Sequence, residues 1–132
     1  MAGIGIEPEG WVKPRGYSNG MRARGEVVAI AGQIAWDEQA RLVGDGDFVK
    51  QFEQALANVV AIVRAAGGAP EDLVSLTIYV IDRADYVARL GEVGAAYRRV
   101  MGKHYPTMAL LVVAGLLEVG AKVEIQGLAV LP

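Results

Sequence analysis

Apolar positions in this chain recur at two different periods, and the switches between them predict the elements. "EVVAIAGQIAW" (26–36) is a β-branched apolar run ending where Asp37 and Glu38 open a turn, which reads as a buried strand. In "DFVKQFEQALANVVAIVRAAGG" the period lengthens: Phe48, Phe52, Leu56, Val59 and Val63 recur at helical spacing. Asp47 stands where an N-cap belongs, and Gly67 or Gly68 ends the run. After the turn at Pro70, "LVSLTIYVI" (73–81) is a second buried strand. Asp82 is placed to cap a second helix with the stripe Tyr86, Leu90, Val93, Tyr97 and Met101, stopped by Gly102. "TMALLVV" (107–113) and "KVEIQGLAVL" (122–131) are the last two strands. A short extra strand is expected near Leu42 or the N-terminus, and the Gly/Pro-rich residues 1–15 are expected to be irregular.

The order strand, helix, strand, helix, strand, strand implies an α/β fold with a mixed sheet. Both helices cover one face in two layers, and a hairpin-like connection joins the final pair of strands. Residues 1–132 form a single domain on this reading, since no linker, repeat or low-complexity tract divides them. The last strand shows what the uncovered face is for. Val123, Ile125, Gly127, Ala129 and Leu131 point one way and suit the helices. Lys122, Glu124, Gln126, Leu128 and Val130 point the other way, a mixture that suits a subunit interface better than open water.

Composition sharpens this picture. Hydrophobic residues make up 53% and charged residues 21%, a surplus of apolar surface that favours association with further copies. The net charge is -2 with the basic residues dispersed, which argues against a nucleic-acid partner. No cysteine is present and the one histidine is His104, so neither a thiolate site nor a multi-histidine metal site can form within a single chain. No signal peptide is recognisable, and the longest charge-free stretch, broken by Pro106 and Gly115, is too short to cross a bilayer. The expectation is a soluble cytoplasmic protein.

Glu124 is the most informative candidate, a carboxylate inside an apolar strand. It needs donors, a cation or a raised pKa, and is either a general acid/base or water-holding group, or an edge carboxylate in solvent or paired with Lys122 or with an arginine of a neighbouring chain. His104 fits a helix C-terminal cap or an exposed side chain better than a base. "GYSNG" (16–20) offers hydroxyls on flexible backbone, and Gly32 in "AGQIAWD" marks either a close approach of another backbone or a ligand, or a simple β-bulge. "GDGD" (44–47) reads as a turn and helix cap rather than a calcium loop. No phosphate loop, dinucleotide fingerprint or nucleophile elbow is present.

Four pieces in order, "GYSNG", "AGQIAWD", "LVSLTIYVID" and "YPTMALLVVAGLLEVGAKVEIQGLAV", resemble the RidA (YjgF, reactive-intermediate deaminase) family from about Tyr17 to Val130. The resemblance implies a chorismate-mutase-like fold assembled as a homotrimer around a central barrel, with clefts between adjacent subunits. It implies a cofactor-independent hydrolase that deaminates small imines or enamines such as 2-aminoacrylate; the acidic net charge and the lack of a bilayer-length apolar stretch separately give the expectation of no nucleic-acid or membrane partner. By matching position, Tyr17 and the Gly32 backbone would line the cleft and Glu124 would sit beside the attacking water.

The chain departs from the family pattern at one position. Counting from Pro106, the family's carboxylate-clamping arginine falls on Met108, which offers neither donor nor charge. Losing a charge-assisted pair in a secluded site costs about 2–5 kcal/mol of binding, so ordinary 2-aminoacrylate deamination is not expected. Three explanations compete. Met108 and Trp36 form an apolar wall for a neutral or larger substrate; Arg15, Arg22, Arg24 or Lys103 reaches in to restore anion binding; or the protein is a non-catalytic ligand-binding or chaperone-like trimer.

Overall fold

The computed structural model describes residues 3–132. Its main layer is a four-stranded sheet of β3 (Glu26–Gln33), β4 (Leu73–Val80), β5 (Thr107–Val112) and β6 (Val123–Leu131), in the spatial order β3-β6-β4-β5. β6 runs antiparallel to both neighbours and β5 runs parallel to β4, so the sheet is mixed as expected. α1 (Phe48–Ala65) and α3 (Leu90–Met101) pack on one face, with a short α2 (Arg83–Val87) before α3.

α1 follows its sequence signals closely. The Asp47 carboxylate accepts from the Lys50 amide at 3.0 Å, and Phe48, Phe52, Leu56, Val59 and Val63 are all buried. Opposite them lie Leu76, Ile78 and Val80 of β4 and Val123, Ile125 and Ala129 of β6, which form the core with Val93, Tyr97 and Met101 of α3. The second face of the sheet has no protein layer over it within the chain: Val27, Leu111 and Leu128 stand exposed there.

Three expectations need correction. The last two strands do not form a hairpin, because β4 lies between β5 and β6. The apolar β6 takes the central position that buries Val123, Ile125 and Ala129, and residues 113–122 make the crossing. The buried Gln51 of α1 pins that crossing, its Nε2 donating to the Gly120 carbonyl at 3.1 Å and its Oε1 accepting from the Lys122 amide at 2.8 Å. The second helix is interrupted as well. Asp82 caps α2 through the Ala84 amide, but the backbone leaves helical geometry at Arg89, whose guanidinium reaches Asp47 and Glu92, and Leu90 is exposed rather than in the core. Residues 1–15 are not wholly irregular either, since β1 (Gly3–Ile6) pairs antiparallel with β2 (Gly20–Ala23) as a separate ribbon. That ribbon supplies the extra strand, while Leu42 makes only an isolated bridge to Trp36.

Candidate functional site

The sheet carries two clusters of candidate residues, one on each face. On the uncovered face, Ala31 and Gly32 of β3 stand opposite the single residue Gln126 of β6, a β-bulge of the kind that re-aims groups near active sites. Glu124 lies directly over it. A β-carbon on Gly32 would sit 2.8 Å from Glu124 Cδ and 3.0 Å from Cγ, so the carboxylate occupies the space that glycine leaves. The β-bulge is present at Gly32, and the group that comes close to it within the chain is the Glu124 side chain.

Glu124 is half-buried, and among the described residues its carboxylate has no hydrogen-bond or ion-pair partner. Lys122 turns instead to Asp85 at 3.7 Å, so the pairing with Lys122 does not form. Tyr79, directly across the ladder, donates its hydroxyl to Gln126 at 3.1 Å. The unpartnered carboxylate therefore faces the open side of the sheet, next to backbone that the bulge has released from the ladder.

The second cluster lines a cavity of about 530 Å³ between the helix layer and the edge strand β5. Segment 15–18 closes one side. Ser18 donates its hydroxyl to the Tyr105 carbonyl at 2.6 Å and its amide to the Pro106 carbonyl at 3.1 Å, which holds the preceding Arg15 and Tyr17 at the rim. Met108 and Leu110 of β5 and Ile78 of β4 form the floor, with Phe52 and Val93 of the helices behind them. Met108 packs partly against the core while still lining the cavity.

Tyr97 and Tyr105 stack in this wall with ring centroids 5.1 Å apart and planes 8° from parallel. The Tyr97 hydroxyl donates to the His104 carbonyl at 2.6 Å, and burial, reinforced by Tyr105, pushes its pKa well above the usual tyrosine range. Tyr97 is therefore a neutral wall, not a base. The His104 ring bonds the Leu73 carbonyl at 2.7 Å through Nε2, a structural tie between the end of α3 and the start of β4.

The structure thus groups Glu124 with Gly32 and Tyr17 with Met108, on opposite faces of the sheet. Trp36 does not line the Met108 cavity. Its indole N–H donates to Gln33 Oε1 at 3.2 Å and its carbonyl accepts from Asn58 at 2.9 Å, so Met108 and Trp36 do not form one wall within a chain. Of the cations considered as replacements, Arg15 lines the cavity and Arg22, Arg24 and Lys103 do not. Arg98 and Tyr86, which sequence reasoning passed over, also line it. Although the sequence shows no basic or aromatic run, folding assembles tyrosines and two arginines on the scale of a small ligand. Among the described residues, no three His, Asp or Glu side chains converge as metal ligands, and no helix is long and apolar enough to cross a membrane. Asp47 of "GDGD" is taken up by the α1 cap.

A two-layer α/β chain with one bare sheet face and a cavity at its edge strand is the class of protein that fold and site define. This chain belongs to the RidA (YjgF) family, whose model, described as Endoribonuclease L-PSP, matches residues 12–131. It is 40% identical to the RutC family protein PH0854 of Pyrococcus horikoshii over 86 residues, 64% of this chain and 67% of that protein. It is 35% identical to the 2-iminobutanoate/2-iminopropanoate deaminase of Salmonella typhimurium over 109 residues, 80% of each. The crystal structure of YyfB, a Rid-family protein of unknown function from Yersinia pestis, superposes with a TM-score of 0.85 at 32% identity, covering 99% of this chain and 100% of that one. The YjgF structure from E. coli gives 0.67 at 30% identity, covering 86% and 87%.

Proposed function

We propose that this protein is a cofactor-independent hydrolase that converts a small imine, or the imine tautomer of an enamine, to a carbonyl compound and ammonia in a cleft shared by adjacent subunits of a homotrimer. The observation that carries the reading is Glu124: a carboxylate without a partner, over a backbone bulge, on a sheet face that the chain leaves bare. Names of relatives support the reaction class, since the Salmonella typhimurium protein and a Capra hircus protein 31% identical over 104 residues are both called 2-iminobutanoate/2-iminopropanoate deaminase.

In the assembled cleft, Glu124 and Gly32 of one copy face the cavity of Tyr17 and Met108 in the next. Glu124 accepts a proton from water as the water oxygen bonds to the imine carbon. The same proton then passes to nitrogen, giving a carbinolamine; Glu124 next takes the carbinolamine hydroxyl proton and delivers it to nitrogen, so that the C–N bond breaks with its electron pair on ammonia as the carbonyl forms. Each turnover consumes one water and releases one ammonia. Tyr17 and the Gly32 backbone supply polar contacts and Met108 an apolar wall.

The test combines light scattering with ammonia release from imines generated by an amino-acid oxidase across short, branched and aromatic side chains. A trimer that hydrolyses some of these imines, and a Glu124→Gln trimer that hydrolyses none, is the expected outcome. A monomer, or Glu124→Gln retaining wild-type turnover, overturns the reading. A specific feature favours one rival: with methionine where relatives carry the clamping arginine, the trimer binds its ligand without turning it over. Binding without ammonia release from any imine would establish that rival.

A further inference from the structure

The arginines around the cavity fall into two groups. Arg89 is held by Asp47 and Glu92, and Arg99 by Glu53 at 2.7 Å. Arg98 and Arg15 have no acidic partner among the described residues, and both line the cavity, which no carboxylate lines within the chain. The Arg98 guanidinium folds back along α3 over Gly94, where an added β-carbon would sit 3.3 Å from Nη1, and Gly94 itself lines the cavity. A glycine inside a helix costs about 0.5–1 kcal/mol relative to alanine; here it leaves room for the guanidinium to lie on the cavity side. The segment that carries Arg15 is tied to the cavity wall by the two Ser18 bonds.

Between these charges the walls are aromatic and aliphatic: the Tyr97–Tyr105 stack, Tyr86, Phe52, Ile78 and Met108. Within one chain the space is about 530 Å³, on the scale of drug-sized ligand sites before a neighbouring copy contributes its side of the cleft. A site with cationic rim groups and an apolar floor selects a ligand with an anionic end and a sizeable apolar body.

We infer that this cavity binds a monocarboxylate carrying an aromatic or long branched apolar group, with the acid received at the rim by Arg15 and Arg98 and the body laid against Met108 and the tyrosines. Deepening the reading above, this makes the substrate an imino acid larger than 2-aminoacrylate, and it rests on that reading only for the chemistry, not for the binding. The carboxylate is held at the rim instead of on β5, and the floor that Met108 opens receives the side chain.

Calorimetry with 3-phenylpropionate, its amide and propionate tests this without requiring turnover. The acid should bind about tenfold or more tightly than the amide, the difference that charge-assisted hydrogen bonds contribute. Propionate should be weaker by a similar factor, about tenfold or more, for want of the apolar body. Arg15→Gln and Arg98→Gln should each reduce acid affinity and leave amide affinity unchanged, and the double variant should bind acid and amide alike; both side chains are exposed, so the variants should fold. Equal affinity for acid and amide in the wild type, no binding of the acid, or a preference for acid that persists in the double variant overturns the inference. Loss of the acid preference beside intact ammonia release refutes this inference alone. Intact acid binding in a protein that never releases ammonia refutes the hydrolase reading alone.

Discussion

Replacing Gly32 with alanine separates the position of the Glu124 carboxylate from the stability of the fold. The new β-carbon would lie 2.8 Å from Glu124 Cδ, and ordinary contact begins near 3.4 Å, so the carboxyl group must retreat from the bulge. The carboxylate oxygen nearest Gly32 must move further than the carbon, by about 1 Å, and a misplacement of that size costs roughly 10²-fold in rate. The fold is affected little. The atoms in the way are the end of a flexible side chain, whose departure from its rotamer costs about 0.5–1.5 kcal/mol. Gly32 does not sit in the left-handed region, so alanine adopts its backbone and regains about 0.4–1 kcal/mol by restricting the unfolded chain. The two terms nearly cancel, and the Tm should move by no more than a few degrees. Turnover of the best imine, measured beside a thermal melt and light scattering, should therefore fall about a hundredfold in a trimer of nearly unchanged stability. Wild-type turnover in Gly32→Ala would show that Glu124 does not act in the reaction, and a collapse of the trimer would show that the bulge is structural.

Other substitutions probe separate parts of the argument. Wild-type protein should release ammonia from freshly generated 2-aminoacrylate little above background, while Met108→Arg should raise that rate and lower the rate with bulky imines; brisk wild-type turnover of 2-aminoacrylate would show that the small acid is already held. The Arg99 guanidinium, by hydrogen bonding first and charge second, holds the Glu53 carboxyl below its usual range, so this pair contributes stability above about pH 4.3 that is lost as pH falls through the folded value. Denaturant titrations should therefore find Glu53→Gln less stable than wild type at neutral pH, with the difference closing in acid. Mixed trimers refolded from equal amounts of Glu124→Gln and the cavity-filling Leu90→Trp should recover about one quarter of wild-type activity, because one cleft in each mixed trimer joins two intact halves. Recovery of nothing would place both halves of the site in the same chain.

How much was legible follows from how local each cause is. α1 was readable because its cap and its stripe are contiguous in sequence, and the main strands because their apolar runs end at turn residues. The interruption before α3 was not, since Arg89 is drawn partly by Asp47, 42 residues away. Nor was β1, whose Gly-Ile-Gly-Ile alternation says nothing until β2 pairs with it. In the site, Glu124 stood out because a carboxylate in an apolar strand is costly, and Tyr17, Gly32 and Met108 because of the family pattern. Arg98 looked like any solvated helix arginine. Its neighbour Arg99 is one, tied to Glu53, and only the three-dimensional placement of Glu53 and Gly94 separates the two.

The parity of the strands bears on the assembly as well. Leu76 and Met108 are ladder partners on the helix side, while Tyr79, Glu124 and Leu111 line up on the bare side. A side chain on a β-strand cannot change face without a one-residue slip, and a slip would carry Val123 and Ile125, both fully buried, into solvent. Burying a side chain of that size contributes about 1.5–3 kcal/mol, so no ordinary fluctuation of one chain brings Glu124 to the Met108 cavity. The exposed row Leu110, Leu111 and Val112 also leaves β5 an apolar sheet edge, a surface that proteins seldom leave uncovered. Both observations favour the same arrangement, in which a second copy covers the edge beside the cavity and brings its own bulge and carboxylate with it. On the proposed mechanism catalysis and assembly would be one requirement, since Glu124 would reach the substrate only where burial of the bare face brings it to the next copy's cavity.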